Sequence, residues 1–106
     1  MDKLKVKDED LEFVGIDGGG IPMYNYQGKP FTGIIVDYFF GTDIVAGETE
    51  YTNGYQDGIV KNYYVNGNLE YECYKKNNKL HGTYRDWDEK GNLLSTTEWK
   101  DGMKIK

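Results

Sequence analysis

Eighteen carboxylates dominate the reactive side chains of this 106-residue chain, joined by one histidine, His81, and one cysteine, Cys73. Paired carboxylates can do general acid–base work, but that needs one unique pair held on a substrate. Asp37 and Asp86 instead recur at the same position of an internal repeat, which points to a structural or docking stripe. His81 stands just before Gly82, in the slot that Asp57 takes before Gly58, so a turn role explains both. No serine or cysteine motif accompanies the histidine, and one His with one Cys cannot build a typical zinc site. Cys73 occupies a strand position matched by Glu50 and Glu98 and reads as a partly exposed thiol. The run Gly15-Ile16-Asp17-Gly18-Gly19-Gly20 has the glycine content of a phosphate cradle. It lacks the P-loop lysine and a following helix, so it reads as a connection. No enzyme activity, cofactor or metal is expected.

The elements that position these residues follow from the repeat. Gly33 precedes Gly58 by 25 positions and Gly58 precedes Gly82 by 24; Gly67 precedes Gly91 by 24, and Leu69 precedes Leu93 by 24. A fixed period of this size means one supersecondary unit used several times, presenting an extended surface in place of a closed pocket. Asn66-Gly67, Asn53-Gly54 and Asp101-Gly102 have the chemistry of two-residue hairpin turns, with Lys90-Gly91 in the matching slot. Between them lie segments rich in Tyr, Ile, Val and Thr, of strand length. The expected first strands are Ile34 to Phe39, Ile59 to Tyr64 and Thr83 to Asp88. The second are Ile44 to Tyr51, Leu69 to Tyr74 and Leu93 to Trp99; that of the first copy is one residue longer, near Gly47, as a bulge would make it. A further pair, Glu12 to Ile16 and Ile21 to Tyr26, precedes them across Gly18-Gly19-Gly20.

The predicted fold is thus all-β: tandem hairpins forming a single-layer, extended antiparallel sheet. Residues 1–106 make one domain, with residues 1–20 as an N-terminal arm and repeats at about 21–50, 51–74 and 75–104. Alternation sorts Ile34, Ile59, Thr83 and the ladder Tyr38, Tyr63, Trp87 onto one face, and Ile35, Val60, Tyr84 onto the other. Tyr51, Tyr74 and Trp99 form a second expected ladder. The two sheet ends need caps, and Lys100, Lys104 and Lys106 suit one of them.

Composition supports this picture. Apolar residues are 38% and aromatics 15%, ten of them Tyr, which pairs a large ring with a wet hydroxyl. Charge is uneven: residues 13–57 carry −5 and residues 58–106 carry +2, within a total of −5. An acidic pole repels nucleic acid and draws basic partners. A lone cysteine fits a reducing compartment, and the charged N-terminus fits no secretory signal, so a cytoplasmic setting is expected.

The stretch YTNGYQDGIVKNYYVNGNLEYECY, residues 51–74, resembles the MORN repeat variant: Y-x-N-G-x-x-x-G, an aromatic pair, N-G-x-L, then E-x-x-Y. The stretch YNYQGKPFTGIIVDYF, residues 24–39, is similar to the opening unit of the YwqK-type antitoxin group of that family. The resemblance covers about residues 21–104. It departs at Gly41-Thr42-Asp43, where Asn-Gly belongs, at Asp88 in place of the second aromatic, and at Ser95-Thr96-Thr97. What it implies is an immunity protein or antitoxin that docks stoichiometrically on a cognate protein toxin, with no chemistry of its own. The expected docking residues are Asp37, Glu48, Glu50 and Asp57, with Tyr38 and Tyr55 as aromatic anchors. A basic nuclease is the natural target, because carboxylates can mimic phosphates. The alternative is a MORN-type scaffold or membrane-surface module, weakened by the lack of a basic face.

Overall fold

The computed structural model describes residues 4–16 and 20–106. The strands are β1 (Lys5–Val6), β2 (Glu12–Ile16), β3 (Pro22–Tyr26), β4 (Lys29–Pro30), β5 (Gly33–Tyr38), β6 (Val45–Thr52), β7 (Tyr55–Tyr63), β8 (Leu69–Lys76), β9 (Lys79–Leu80), β10 (Gly82–Trp87), β11 (Leu93–Lys100) and β12 (Met103–Lys104). One 3-10 turn, Asp8–Asp10, follows β1.

The architecture is all-β, but the single antiparallel layer expected from the repeats is wrong. The described residues form two sheets. A nine-stranded sheet runs β1-β5-β6-β7-β8-β10-β11-β12, with β9 beside β8, and a three-stranded sheet runs β2-β3-β4. The large sheet is mixed, because β1 lies parallel to β5 with Lys5 opposite Ile34 and Val6 opposite Ile35. In the later copies a first strand pairs with the second strand of the copy before it, as Lys61 does with Glu48. In the first copy β3 leaves that edge of β5, and β1 fills it: the Ile34 N–H donates to the Leu4 carbonyl at 2.7 Å. Gly33 permits this crossing. Its φ is +154°, and a Cβ there would lie 2.5 Å from the Leu4 oxygen and 2.9 Å from the Phe31 ring.

The departing β3 and β4 fold over one face of the large sheet and close its dry core. Phe31, 1% exposed, packs with Val6, Ile35 and Tyr51, flanked by Leu11, Tyr24 and Tyr26. Edge-to-face rings hold the cluster: Tyr24 on Tyr51 at 5.9 Å and Tyr26 on Phe31 at 6.1 Å. We call this the capped face. Across the sheet it continues as Ile35, Thr49, Val60 and Cys73, register partners in turn. The opposite face carries Val36, Glu48, Lys61, Glu72 and Arg85 in register, so acid and base alternate from strand to strand. A one-residue slip would move every such pair to the wrong face, so this ladder helps set the register.

The turns also differ from expectation. Two-residue turns with both φ positive join successive copies: Gln27-Gly28, Asn53-Gly54, Asn77-Asn78 and Asp101-Gly102. Each later one is stitched to the copy before it, through Gly54 N–H to the Phe31 carbonyl, Asn78 to Gln56 and Gly102 to Leu80. Asn66-Gly67 and Lys90-Gly91 are different: only their glycines have positive φ. The Gly67 N–H reaches the Tyr64 carbonyl and the Tyr64 N–H the Asn68 carbonyl, a tight turn followed by a glycine in the left-handed region. The bulge is not confined to the first copy either. It recurs at Ala46, Glu70 and Leu94, where the registers of β5–β6, β7–β8 and β10–β11 each skip one residue.

That phase decides the aromatic ladders. Tyr51 points into the capped core, whereas Tyr74 lies opposite Ile59 on the charged face, so they share no ladder. Among the described residues no ring contact joins Tyr38, Tyr63 and Trp87; the contacts cluster around Phe31 and at Tyr71–Tyr84.

Phe31→Ala is expected to cost about 3–5 kcal/mol, the usual range for a buried aromatic, measured by urea unfolding. Asp88 supplies a pH-dependent contact. Its Oδ1 accepts the N–H groups of Lys90 and Asn92, and Oδ2 accepts the Asn92 amide. These bonds, those from Asn92 foremost, hold its carboxyl below the ordinary 3.8. The contribution is therefore complete above pH 3.8 and is lost as pH falls through the lower folded-state value. Asp88→Asn should remove that part of the acid-side fall in the urea midpoint, read as midpoint against pH.

Candidate functional site

The six expected docking residues do not share one surface. Glu48 and Glu50 lie on the charged face and line a shallow recess of about 180 Å³ with Ile34, Ile59 and Lys61. Both are engaged within the fold. Glu48 accepts the Tyr63 hydroxyl at 3.1 Å and pairs with Lys5 Nζ at 3.3 Å. Glu50 folds over Gly58 and accepts the Ile59 N–H at 3.0 Å. Asp57 accepts the N–H of Asn77, first residue of the next two-residue turn. His81, in the matching slot, approaches Asp101 of the following turn at 3.9 Å, so both slots face a turn. Tyr38 is exposed on the charged face beneath Lys7, whose Nζ is 5.3 Å from the ring centre. Tyr55 is exposed at the start of β7, opposite Thr52. Asp37 alone lies on the capped face, one rung beyond Ile35. Asp17, counted in the acidic pole, and Gly18-Gly19 of the expected connection lie outside the described residues.

The recesses of the capped face bring together residues that sequence reasoning mostly passed over. One rung reads Asp37, Gly47, Asn62, Tyr71, Asp86 and Ser95 across the strands. The repeated stripe of Asp37 and Asp86 is thus one row of a sheet, about 19 Å from end to end at ~4.8 Å per strand. Beside it two recesses share the rings of Tyr71 and Tyr84, stacked at 5.6 Å and 16°.

The recess nearer the core, about 410 Å³, has Val60 and Cys73 as buried members and Thr49, Gln56 and Lys75 around it. The equivalence of Cys73 with Glu50 and Glu98 fails, because the bulges recur every 24 residues and put Tyr74, one residue on, at the position of those two acids. Cys73 instead pairs with Val60, next in register to Thr49, and is buried. Burial pushes its thiol above the ordinary 9.0, so it is protonated near neutrality.

The second recess, about 250 Å³, is lined by Tyr64, Glu70, Tyr71, Tyr84, Asp86 and Leu94. The bulge in β8 builds it. By strict alternation Glu70 and Tyr71 would point to opposite faces, but the extra residue turns both toward one side. The Glu70 carboxylate there accepts the Asn62 amide at 2.9 Å. Asp86 accepts the Ser95 hydroxyl. The Tyr64 hydroxyl donates to the Trp87 carbonyl at 2.8 Å, tying one copy to the next. Burial first, then the nearby carboxylates Asp86 and Glu70 among other neighbours, pushes the Tyr84 phenol above 10.0. Tyr71 stands where the other copies have Gly47 and Ser95, an aromatic that breaks the repeat and so carries a sequence signal; Glu70 has none short of recognising the bulge.

Comparison of the chain with protein-family models, curated proteins and solved structures found no match. Among the described residues no cluster of His, Cys, Asp and Glu is arranged to hold a metal ion. No described helix is long and apolar enough to cross a membrane.

Ellman's reagent is expected to label native Cys73 far more slowly than the unfolded chain, with the rate rising through the urea transition. A native rate equal to that of a free peptide thiol would contradict the buried position.

Proposed function

We propose that the chain is an immunity or antitoxin protein that neutralises a basic protein toxin by stoichiometric docking, using the capped face beside Tyr71 and Tyr84. The observation that supports this reading is the unequal charge compensation of two rows, one on each face. On the charged face each acid of the ladder has a base across the strand: Glu48 faces Lys61, and Glu72 faces Lys61 and Arg85. On the capped face the rung holding Asp86 contains no base, and Glu70 and Asp86 are held by a neutral amide and a hydroxyl. Their charge remains available to a partner, over aromatic surface of the kind that anchors interfaces. A sheet is also a rigid platform, so little ordering is lost on docking. Asp37 extends the same row, and the acidic pole around it steers a basic partner, such as a nuclease with a cationic groove. A reducing cytoplasm suits the free Cys73.

The scaffold or membrane-surface reading draws on the hairpin tips, where Phe40 and Val65 are exposed. Acidic neighbours such as Asp43 oppose binding to anionic lipid.

The test is capture from host lysate with the tagged chain, followed by assay of the captured protein. One basic partner at near-equal stoichiometry, its toxic activity suppressed by the chain, is the expected result. A partner fully active at saturation, or flotation of the chain with anionic vesicles at physiological salt, would remove the immunity reading. With the partner in hand, Glu70→Lys with Asp86→Lys should slow association and flatten its salt dependence, whereas Glu72→Lys should leave both nearly unchanged.

A further inference from the structure

We propose that the recess between Tyr64, Tyr71 and Tyr84 is an arginine site: it receives a guanidinium from the basic partner, stacked on the tyrosine rings and held by Glu70 and Asp86. This rests on the docking reading above and names its central contact. Three features select a planar cation. The rings of Tyr71 and Tyr84 are stacked nearly parallel, 16° apart, so a planar cation laid on the outer face of either ring extends the same stack. Two carboxylates lie at the rim of the same recess, each already anchored by one hydrogen bond and each able to accept more. The volume, about 250 Å³, admits a side chain and excludes a folded domain.

The electrostatics agree. Burial, then Glu70, Glu89, Asp88 and Asp86, raises the Tyr64 phenol, so negative potential converges on this recess. The nearby bases point elsewhere: Lys61 and Arg85 belong to the charged face, and Lys75 lines the neighbouring recess. An anion is repelled here, and a neutral group leaves the carboxylates unused. Guanidinium fits better than ammonium, because it is flat, weakly hydrated and forked toward carboxylate pairs. Cation–π attraction adds to the ion pair.

The recess is tested without the partner. The full-length protein is titrated with acetyl-Gly-Arg-Gly-amide while the tyrosine ring resonances are followed by NMR. Saturable shifts at Tyr64, Tyr71 and Tyr84 are expected, weaker with the lysine tripeptide and absent with the isosteric, uncharged citrulline tripeptide. Tyr84→Leu should weaken binding about two- to fivefold, as loss of one exposed cation–π contact would. Tyr84→Phe should restore it, and Asp86→Asn, a surface change, should weaken it with the amide spectrum intact. Equal binding of the citrulline tripeptide, shifts confined to other tyrosines, or full binding by Asp86→Asn would overturn the site. A toxin that docks at full affinity on folded Asp86→Asn, Glu70→Gln and Tyr84→Leu would overturn the arginine contact and leave docking standing. The full tripeptide pattern without any neutralised toxin would keep the site and remove the immunity reading.

Discussion

The packing of Phe31 against Val6, Ile35 and Tyr51 is the contact on which the rest of this structure hangs. A sheet one layer thick exposes both faces and buries too little apolar surface to stand alone. This chain solves the problem at one end. The segment after β4 turns its phenylalanine inward, β1 takes the vacated edge of β5, and the small sheet covers the first rungs of the capped face. From that anchored end the later copies are added by register, each strand pairing with the one before it. Their cohesion comes from cross-strand pairs and from the stitches between turns, where single backbone bonds tie each copy to its predecessor.

The two faces then acquire different characters. On the charged face, acid and base alternate across the strands, so the ladder satisfies itself and chiefly holds register. On the capped face the rung of Asp37, Asn62, Tyr71 and Asp86 carries no base. The bulge at Glu70 creates this difference, because it adds a carboxylate beside Tyr71 that strict alternation would have sent to the other side. One inserted residue, present for a backbone reason, thereby sets the chemistry of the surface. The far end of the sheet is closed more lightly: β12 pairs with Trp99 and Lys100, and Glu98 exchanges bonds with Ile105 and Lys106. Tail lysines do stand at that edge.

The repeat period, most of the longer strands and the turn glycines were legible in the residue pattern, since each depends on chemistry within a few positions; the short β1, β4, β9 and β12 and the Tyr55 end of β7 were not, because their pairing is set by other segments. Positive φ at Asn53-Gly54 and Asp101-Gly102 follows from residue type alone. Gln27-Gly28 and Asn77-Asn78 do the same work with a poorer signal, and Asn66-Gly67 has the better signal but makes a different turn. The docking residues were harder. Glu48, Glu50 and Asp57 read as available acids, yet each is held by a partner that a linear sequence places far away: Tyr63 and Lys5, Ile59, and Asn77.

What the sequence determined by itself is therefore local and periodic: the all-β class, the recurring unit of 24 to 25 residues and the acidic balance. These follow from side-chain type, alternation and glycine placement, which act over short range. Only the tertiary structure decided that the sheet is mixed and capped, because the choice between β1 and β3 beside β5 turns on where Phe31 finds a dry site. It also decided which acids face outward with tyrosines and which are neutralised in a ladder. Both depend on bulge phase, and a shift of one residue exchanges the faces of a strand.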